Sequence, residues 1–112
     1  MIFVNDLPRM TVFYTQTLGL KPVEASRLEN YVEMESGQAR LALHAIPADQ
    51  RCAMPSPVAV RERTPIKLSF EVSDLDSECR RLEALGVPVL RRAWGGYDAV
   101  DPEGNVFGLY CP

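Results

Sequence analysis

One histidine, one tryptophan and two lysines are all that 112 residues contain of those types, and each scarcity excludes something. The three cysteines, Cys52, Cys79 and Cys111, are odd in number and far apart, with no C-x-x-C pair, so a zinc ribbon and a thioredoxin-type motif are both ruled out. No apolar run approaches the ~20 residues that span a bilayer. The opening Met1-Ile2-Phe3-Val4-Asn5-Asp6 lacks the charged and long apolar regions of a secretory signal. A cytoplasmic protein with reduced thiols and no membrane partner is expected. Positive charge is also short: the net charge is −3, and ten of the twelve basic residues are scattered arginines. The densest clusters, Arg91-Arg92 and Arg61-Glu62-Arg63, make no basic stripe, so a nucleic-acid partner is not expected.

What is present is ordinary globular material, 46% hydrophobic and 24% charged, at a length that suits one domain with its own core. That material reads as one unit written twice. Ile2-Phe3-Val4 predicts a short strand, and Asn5-Asp6-Leu7-Pro8 a helix start with an acidic cap and an early proline. Leu7, Met10, Phe13, Tyr14 and Leu18 follow at helical spacing, and Gly19 closes the helix. Pro65–Val72 predicts a second strand, Ser73-Asp74-Leu75-Asp76 a second helix start, and Leu75, Cys79, Leu82 and Leu85 its stripe, closed by Gly86. Val4-Asn5-Asp6-Leu7 returns as Val72-Ser73-Asp74-Leu75 and Leu18-Gly19 as Leu85-Gly86, in register, which argues a duplication.

Strands are predicted after each helix: Lys21–Glu24, Tyr31–Glu35 and Arg40–Ile46 in the first copy, then Val87–Arg91, Tyr97–Val100 and Val106–Cys111 in the second. The expectation is an α+β domain over residues 1–112, made of two tandem βαβββ modules at about 1–46 and 65–112. The proline-bearing segment Pro47–Thr64 joins them.

The residues Val4-Asn5-Asp6-Leu7, Phe13-Tyr14, Leu18-Gly19-Leu20, Val72-Ser73-Asp74-Leu75, Leu82–Gly86, Trp94-Gly95 and Asp101-Pro102-Glu103-Gly104-Asn105 together resemble the glyoxalase/bleomycin-resistance/dioxygenase superfamily, the vicinal oxygen chelate proteins. The resemblance runs through both modules. It implies a curved, mostly antiparallel sheet around a cup, with the helices outside. It also implies a divalent metal held by His, Glu or Gln from the first and last strands of each module. At those positions this chain carries Ala42, Lys67 and Gly108, and the fourth falls about two residues upstream of Met1. Alanine and glycine offer no side-chain ligand, and a lysine ammonium is a donor-only cation. No cofactor and no metal are therefore expected, a site built anew from His44, Glu33 and Glu71 being the alternative.

Strand alternation sorts the faces. Ile66, Leu68, Phe70 and Val72 are expected against the helix layer, as are Val32 and Met34, Leu41, Leu43 and Ala45, and Phe107, Leu109 and Cys111. The opposite face then carries Tyr31, Glu33, His44, Lys67, Ser69, Glu71, Gly108 and Tyr110, which are the candidate ligand-binding residues. That face is either a solvated surface of paired charges or a small-molecule site with aromatic walls and polar anchors. Glycine inside a strand at 108 favours the second, because it lets a ligand approach the backbone. Trp94, in Ala93-Trp94-Gly95-Gly96, is a stacking wall or a core or loop plug. The expected function is metal-free binding of an aromatic or charged small molecule, as in bleomycin resistance. The alternatives are a lyase, isomerase or dioxygenase using a rebuilt metal site or acid–base work by His44, Glu33 or Lys67, and a scaffold that lost the chemistry. The resemblance further implies a homodimer, for which the long joint offers the reach to exchange modules.

Overall fold

A computed structural model describes the whole chain, residues Met1–Pro112. It divides into two compact units, Met1–Pro55 and Ser56–Pro112. The first contains β1 (Ile2–Val4), α1 (Leu7–Val12), β2 (Lys21–Pro22), β3 (Tyr31–Ser36) and β4 (Ala39–Ala45). The second contains β5 (Ser69–Glu71), α2 (Leu75–Ala84), β6 (Val89–Arg91), β7 (Tyr97–Val100) and β8 (Val106–Tyr110). Each unit is β-α-β-β-β, and each builds one four-stranded sheet, in the orders β1-β4-β3-β2 and β5-β8-β7-β6. The first strand of each unit runs parallel to the last, and all other pairs are antiparallel. The fold is α+β with two open sheets of four strands.

Local chemistry explains the helix ends. Asp6 caps α1 by accepting a hydrogen bond from the Arg9 amide at 3.0 Å, and Asp74 caps α2 by accepting one from the Ser77 amide at 2.7 Å. Gly19 and Gly86 follow the two helical segments at φ of 79° and 80°, the left-handed conformation that ends a helix at low cost for glycine alone.

The first helix is not uniform. After Val12 it widens into a π-helical segment, Phe13–Thr17, in which the Leu18 amide donates to the Phe13 carbonyl at 3.0 Å. Phe13 and Tyr14 are adjacent in sequence yet both buried, packed edge to face at 5.2 Å. The wider turn brings two consecutive rings onto the core side, and the Thr11 and Thr15 hydroxyls donate to the carbonyls of Leu7 and Thr11 at 2.7 Å.

The core of the first unit is Val4, Met10, Phe13, Tyr14, Val32, Met34 and Leu43; that of the second centres on Cys79, Leu82, Ala99 and Phe107. Each Val, Leu, Met or Phe among them is worth about 1.5–3 kcal/mol of burial. The expected alternation holds in β3 and β4, where Val32, Met34, Leu41, Leu43 and Ala45 are the buried residues. It fails at three places in the second unit, the first being Cys111, which is exposed because β8 ends at Tyr110. Ile66 is 77% exposed, because the strand expected from Pro65 begins only at Ser69. Leu85 is exposed because it is the C-cap of α2, where the chain leaves the helical path and the stripe no longer points inward.

The segment between the last strand of the first unit and β5 is shared out. Asn5 accepts from the Cys52 amide at 3.3 Å and donates to the Met54 sulfur at 3.4 Å, inside the first unit. In the second, the Arg61 amide donates to the Gly104 carbonyl at 2.8 Å, laying residues 58–61 along the β7–β8 turn.

Candidate functional site

In the first unit, the face of the sheet opposite the buried alternation carries Phe3, His44 and Tyr31, one from each of three neighbouring strands. The register sets Phe3 beside His44 on β1 and β4, and His44 beside Tyr31 on β4 and β3. The rings lie 5.5 Å and 6.3 Å apart by centroid, and Phe3 is 60% exposed. Together they make an aromatic shelf. The His44 Nδ1 donates to the Ala45 carbonyl at 2.9 Å, which fixes the orientation of the ring. Glu33 sits next along β3, opposite Ala42. It accepts from the Tyr31 hydroxyl at 3.0 Å and is ion-paired with Arg40. Those two bonds, Arg40 first, hold its carboxyl below the ordinary value, and the bond to Glu33 pushes the Tyr31 phenol up. Both Phe3 and Arg40 escaped the sequence reading, although Phe3 lies between Ile2 and Val4 and so belongs to the face they do not use.

In the second unit, parallel pairing of β5 with β8 sets Ser69 beside Gly108 and Glu71 beside Tyr110, and β7 brings Asp98 to the other side of Gly108. Asp98 is 2% exposed, the one buried carboxylate on this face of β7, and sequence reasoning missed it. The signal was available: the β7–β8 hairpin closes on Val100 and Val106, and two residues back from each lie Asp98 and Gly108. Lys67 Nζ stands 2.7 Å from one Asp98 oxygen and Arg92 Nε 2.7 Å from the other. Burial pushes the Asp98 carboxyl up, but the hydrogen bonds and charges of Lys67 and Arg92 outweigh it and hold it below the ordinary value. Arg92 turns its outer edge to Glu62 at 2.9 Å. Lys67 thus pairs with Asp98 rather than with Glu71.

Gly108 is the floor of this cluster. A Cβ there would stand 2.8 Å from Ser69 Oγ and 3.5 Å from both Asp98 Oδ1 and Lys67 Cε. Ser69 and Glu71 are exposed on β5, and Tyr110 is half-exposed at the end of β8. Trp94 lies elsewhere, 76% exposed on the turn between β6 and β7, its indole over Gly96, and so fills no core.

Two other groups are tied up in structure. Asp101 accepts from the amides of Glu103 and Asn105, each at 2.9 Å, which builds the β7–β8 turn. Cys79 is buried in α2, where burial pushes its thiol up and away from nucleophilic use. Within either unit no three His, Cys, Asp or Glu side chains are placed to hold a metal ion. The donor set also fails the chemistry of a divalent site, since Ala42 and Gly108 supply no ligand and Lys67 presents a cation.

A chain with this doubled βαβββ unit falls into a known class. Residues 1–109 match the family model of the Glyoxalase/Bleomycin resistance protein/Dioxygenase superfamily, and the chain belongs to that superfamily. Among solved structures it is similar to a lactoylglutathione lyase from Agrobacterium tumefaciens, with 26% identity and a TM-score of 0.67 over 98% of this chain and 88% of that one. It shares its fold with the genomically encoded fosfomycin resistance protein FosX from Listeria monocytogenes, at 18% identity and a TM-score of 0.72 over 97% and 85% of the two chains. It also shares it with TnmS3, an antibiotic binding protein from Streptomyces sp. CB03234, at 22% identity and a TM-score of 0.63 over 99% and 92%. No curated protein is significantly similar in sequence. No helix is long and apolar enough to cross a membrane.

Proposed function

We propose that this chain is a metal-free small-molecule-binding protein of the bleomycin-resistance type, acting as a cytoplasmic homodimer. The observation that carries the reading is the aromatic shelf of Phe3, His44 and Tyr31, edged by the Glu33 carboxylate. Flat apolar rings with few polar groups beside them are the usual make-up of a ligand wall, and no side chain of the first unit's core needs Phe3 on that face. The likeness in fold to an antibiotic binding protein and a fosfomycin resistance protein supports the same direction. Tyr31, Glu33 and His44 in the first unit, and Lys67, Ser69, Glu71, Gly108 and Tyr110 in the second, are the residues assigned to binding, with Trp94 a stacking wall on its turn.

The lyase reading, encouraged by the Agrobacterium likeness, needs either a metal or an acid–base pair. Ala42, Lys67 and Gly108 offer no metal ligands, and Glu33 is held as a carboxylate by Arg40 and Tyr31. A thermal-shift screen of aromatic antibiotics and aromatic metabolites tests the proposal. Binding should raise Tm for at least one aromatic compound, and Phe3→Ala should remove the shift. Silence across the library, or stoichiometric iron, manganese, zinc or nickel in the purified protein, would overturn it.

A further inference from the structure

We propose that Lys67 and Ser69, set over the bare backbone of Gly108 and held by Asp98, form an oxyanion site that takes the carboxylate or phosphate group of an organic ligand. This rests on the reading of the protein as a small-molecule binder and names the class of molecule bound.

Four observations lead there. First, the charge on the cluster is unevenly balanced. The single charge of Asp98 is divided between Lys67 and Arg92, one on each oxygen, and Arg92 receives a second carboxylate from Glu62. Lys67 has Asp98 alone, so its ammonium is the less neutralised cation of the pair. Second, one of its three N–H donors is spent on Asp98, and the side chain remains 42% exposed. The remaining donors are therefore within reach of solvent or a ligand. Third, the Ser69 hydroxyl, beside Gly108 on the neighbouring strand, is exposed and has no hydrogen-bond partner in the protein. Fourth, residue 108 has no side chain, and the space a Cβ would take is bordered by Ser69 Oγ at 2.8 Å and Lys67 Cε at 3.5 Å. Any other residue at 108 would fill the ground between the two donors.

An ammonium and a hydroxyl flanking an open glycine suit an atom that accepts two hydrogen bonds and carries negative charge. Asp98 is a positioning residue here. It is itself buried and saturated by cations, so it anchors the ammonium without competing for the ligand from the solvent side. Glu71 follows Ser69 on the same face of β5, roughly 7 Å on by strand geometry. Its charge repels an anion at that end, which confines the oxyanion to the Lys67 end.

Amide shifts of Ser69 and Gly108 in two-dimensional NMR, titrated with benzoate, phenyl phosphate, inorganic phosphate and benzyltrimethylammonium, test the proposal. Benzoate or phenyl phosphate should move both amides, and Lys67→Met should weaken that binding tenfold or more. Ser69→Ala removes one donor from an exposed position without a partner, so it keeps the fold, and a several-fold loss is expected from it. Response to benzoate alone identifies a carboxylate ligand, and response to phenyl phosphate and inorganic phosphate alone a phosphate ligand. Equal affinity of the anions for wild type and both variants would overturn the oxyanion site. So would binding of benzyltrimethylammonium with no response to any anion, an outcome that leaves small-molecule binding standing. If no probe moves any amide and no compound raises Tm, both readings fall together.

Discussion

Single residues decide more in the second unit than in the first, and two of them make opposite demands. Asp98 is buried because two cations compensate its charge. Its lowered carboxyl fixes the sign of its pH dependence: the stabilisation is full above the ordinary Asp value of 3.8 and is lost as pH falls through the lower folded value. Asp98→Asn should therefore cost about 1–3 kcal/mol at pH 7, the range for a buried hydrogen-bonded group, with Lys67 and Arg92 partly exposed and so partly rescued by water. Urea midpoints measured from pH 7 to pH 2.5 should converge for the two proteins at the acid end. A gap that stays constant with pH would mean Asp98 is not ionised in the folded state. Gly104 makes a steric demand instead. It sits at φ of 86°, and a Cβ there would stand 2.1 Å from the Ala59 carbonyl oxygen, where residues 58–61 cross the turn. Gly104→Ala should cost about 2 kcal/mol or more, combining backbone strain with a clash against backbone. Gly37→Ala, at φ of 60° with open space around it, should cost only about 1 kcal/mol in the same thermal melts.

At the scale of elements, the helices and hairpins were legible because their signals are local. Asp6 and Asp74 before a helical stripe, glycine after it, and alternation on either side of the Asp101–Asn105 turn each use only neighbours in sequence. Tyr97–Val100 was read with its observed bounds, and Tyr31 and His44 on their observed face. What escaped depends on partners distant in sequence. The π-helical widening at Phe13–Thr17 follows from two adjacent rings that both need the core, and β5 begins at Ser69 rather than Pro65 because the pairing with β8 starts only where the Gly108 amide donates to the Leu68 carbonyl at 2.8 Å. Asp98 escaped for the same reason: its environment is made by Lys67 and Arg92, 31 and 6 residues before it, counting 98 − 67 and 98 − 92. The local signals make their own prediction. Asp74→Ala removes the cap of α2 and should lower stability by about 1 kcal/mol. Leu82→Ala, in the middle of the buried stripe, should cost about 2–5 kcal/mol, whereas Leu85→Ala, past the last helical turn, should stay within about 0.5 kcal/mol. Calorimetric melts that rank Leu85 with Leu82 would show that the C-cap leucine is buried after all.

Across the whole molecule, the doubled unit places a carboxylate at the same point of each sheet, Glu33 opposite Ala42 and Asp98 opposite Gly108. The two copies have diverged in what they pair it with: Arg40 and a tyrosine hydroxyl in one, Lys67 and Arg92 in the other. Divergence of that kind keeps the scaffold and rewrites its chemistry, which is why family membership alone leaves the activity open. A divalent ion beside Lys67 measures what that divergence costs. Two unit charges 4 Å apart interact by about 4 kcal/mol at an effective dielectric of 20, so a divalent ion that close to the Lys67 ammonium meets roughly twice that in repulsion. Ala42 and Gly108 return nothing as ligands, and a protein metal site of the zinc type needs about three donors. Restoring one donor is therefore not enough: Lys67→His should still bind zinc or nickel no more tightly than the wild type, measured by calorimetric titration. Dialysis of the wild type against EDTA should likewise leave Tm and the affinity for the best screened ligand unchanged. The homodimer is tested in the same preparation, where light scattering should give twice the 12.5 kDa chain mass before and after chelation. A drop in ligand affinity on chelation that zinc, manganese or iron then restores would place a metal in the binding function and return the lyase reading to first place.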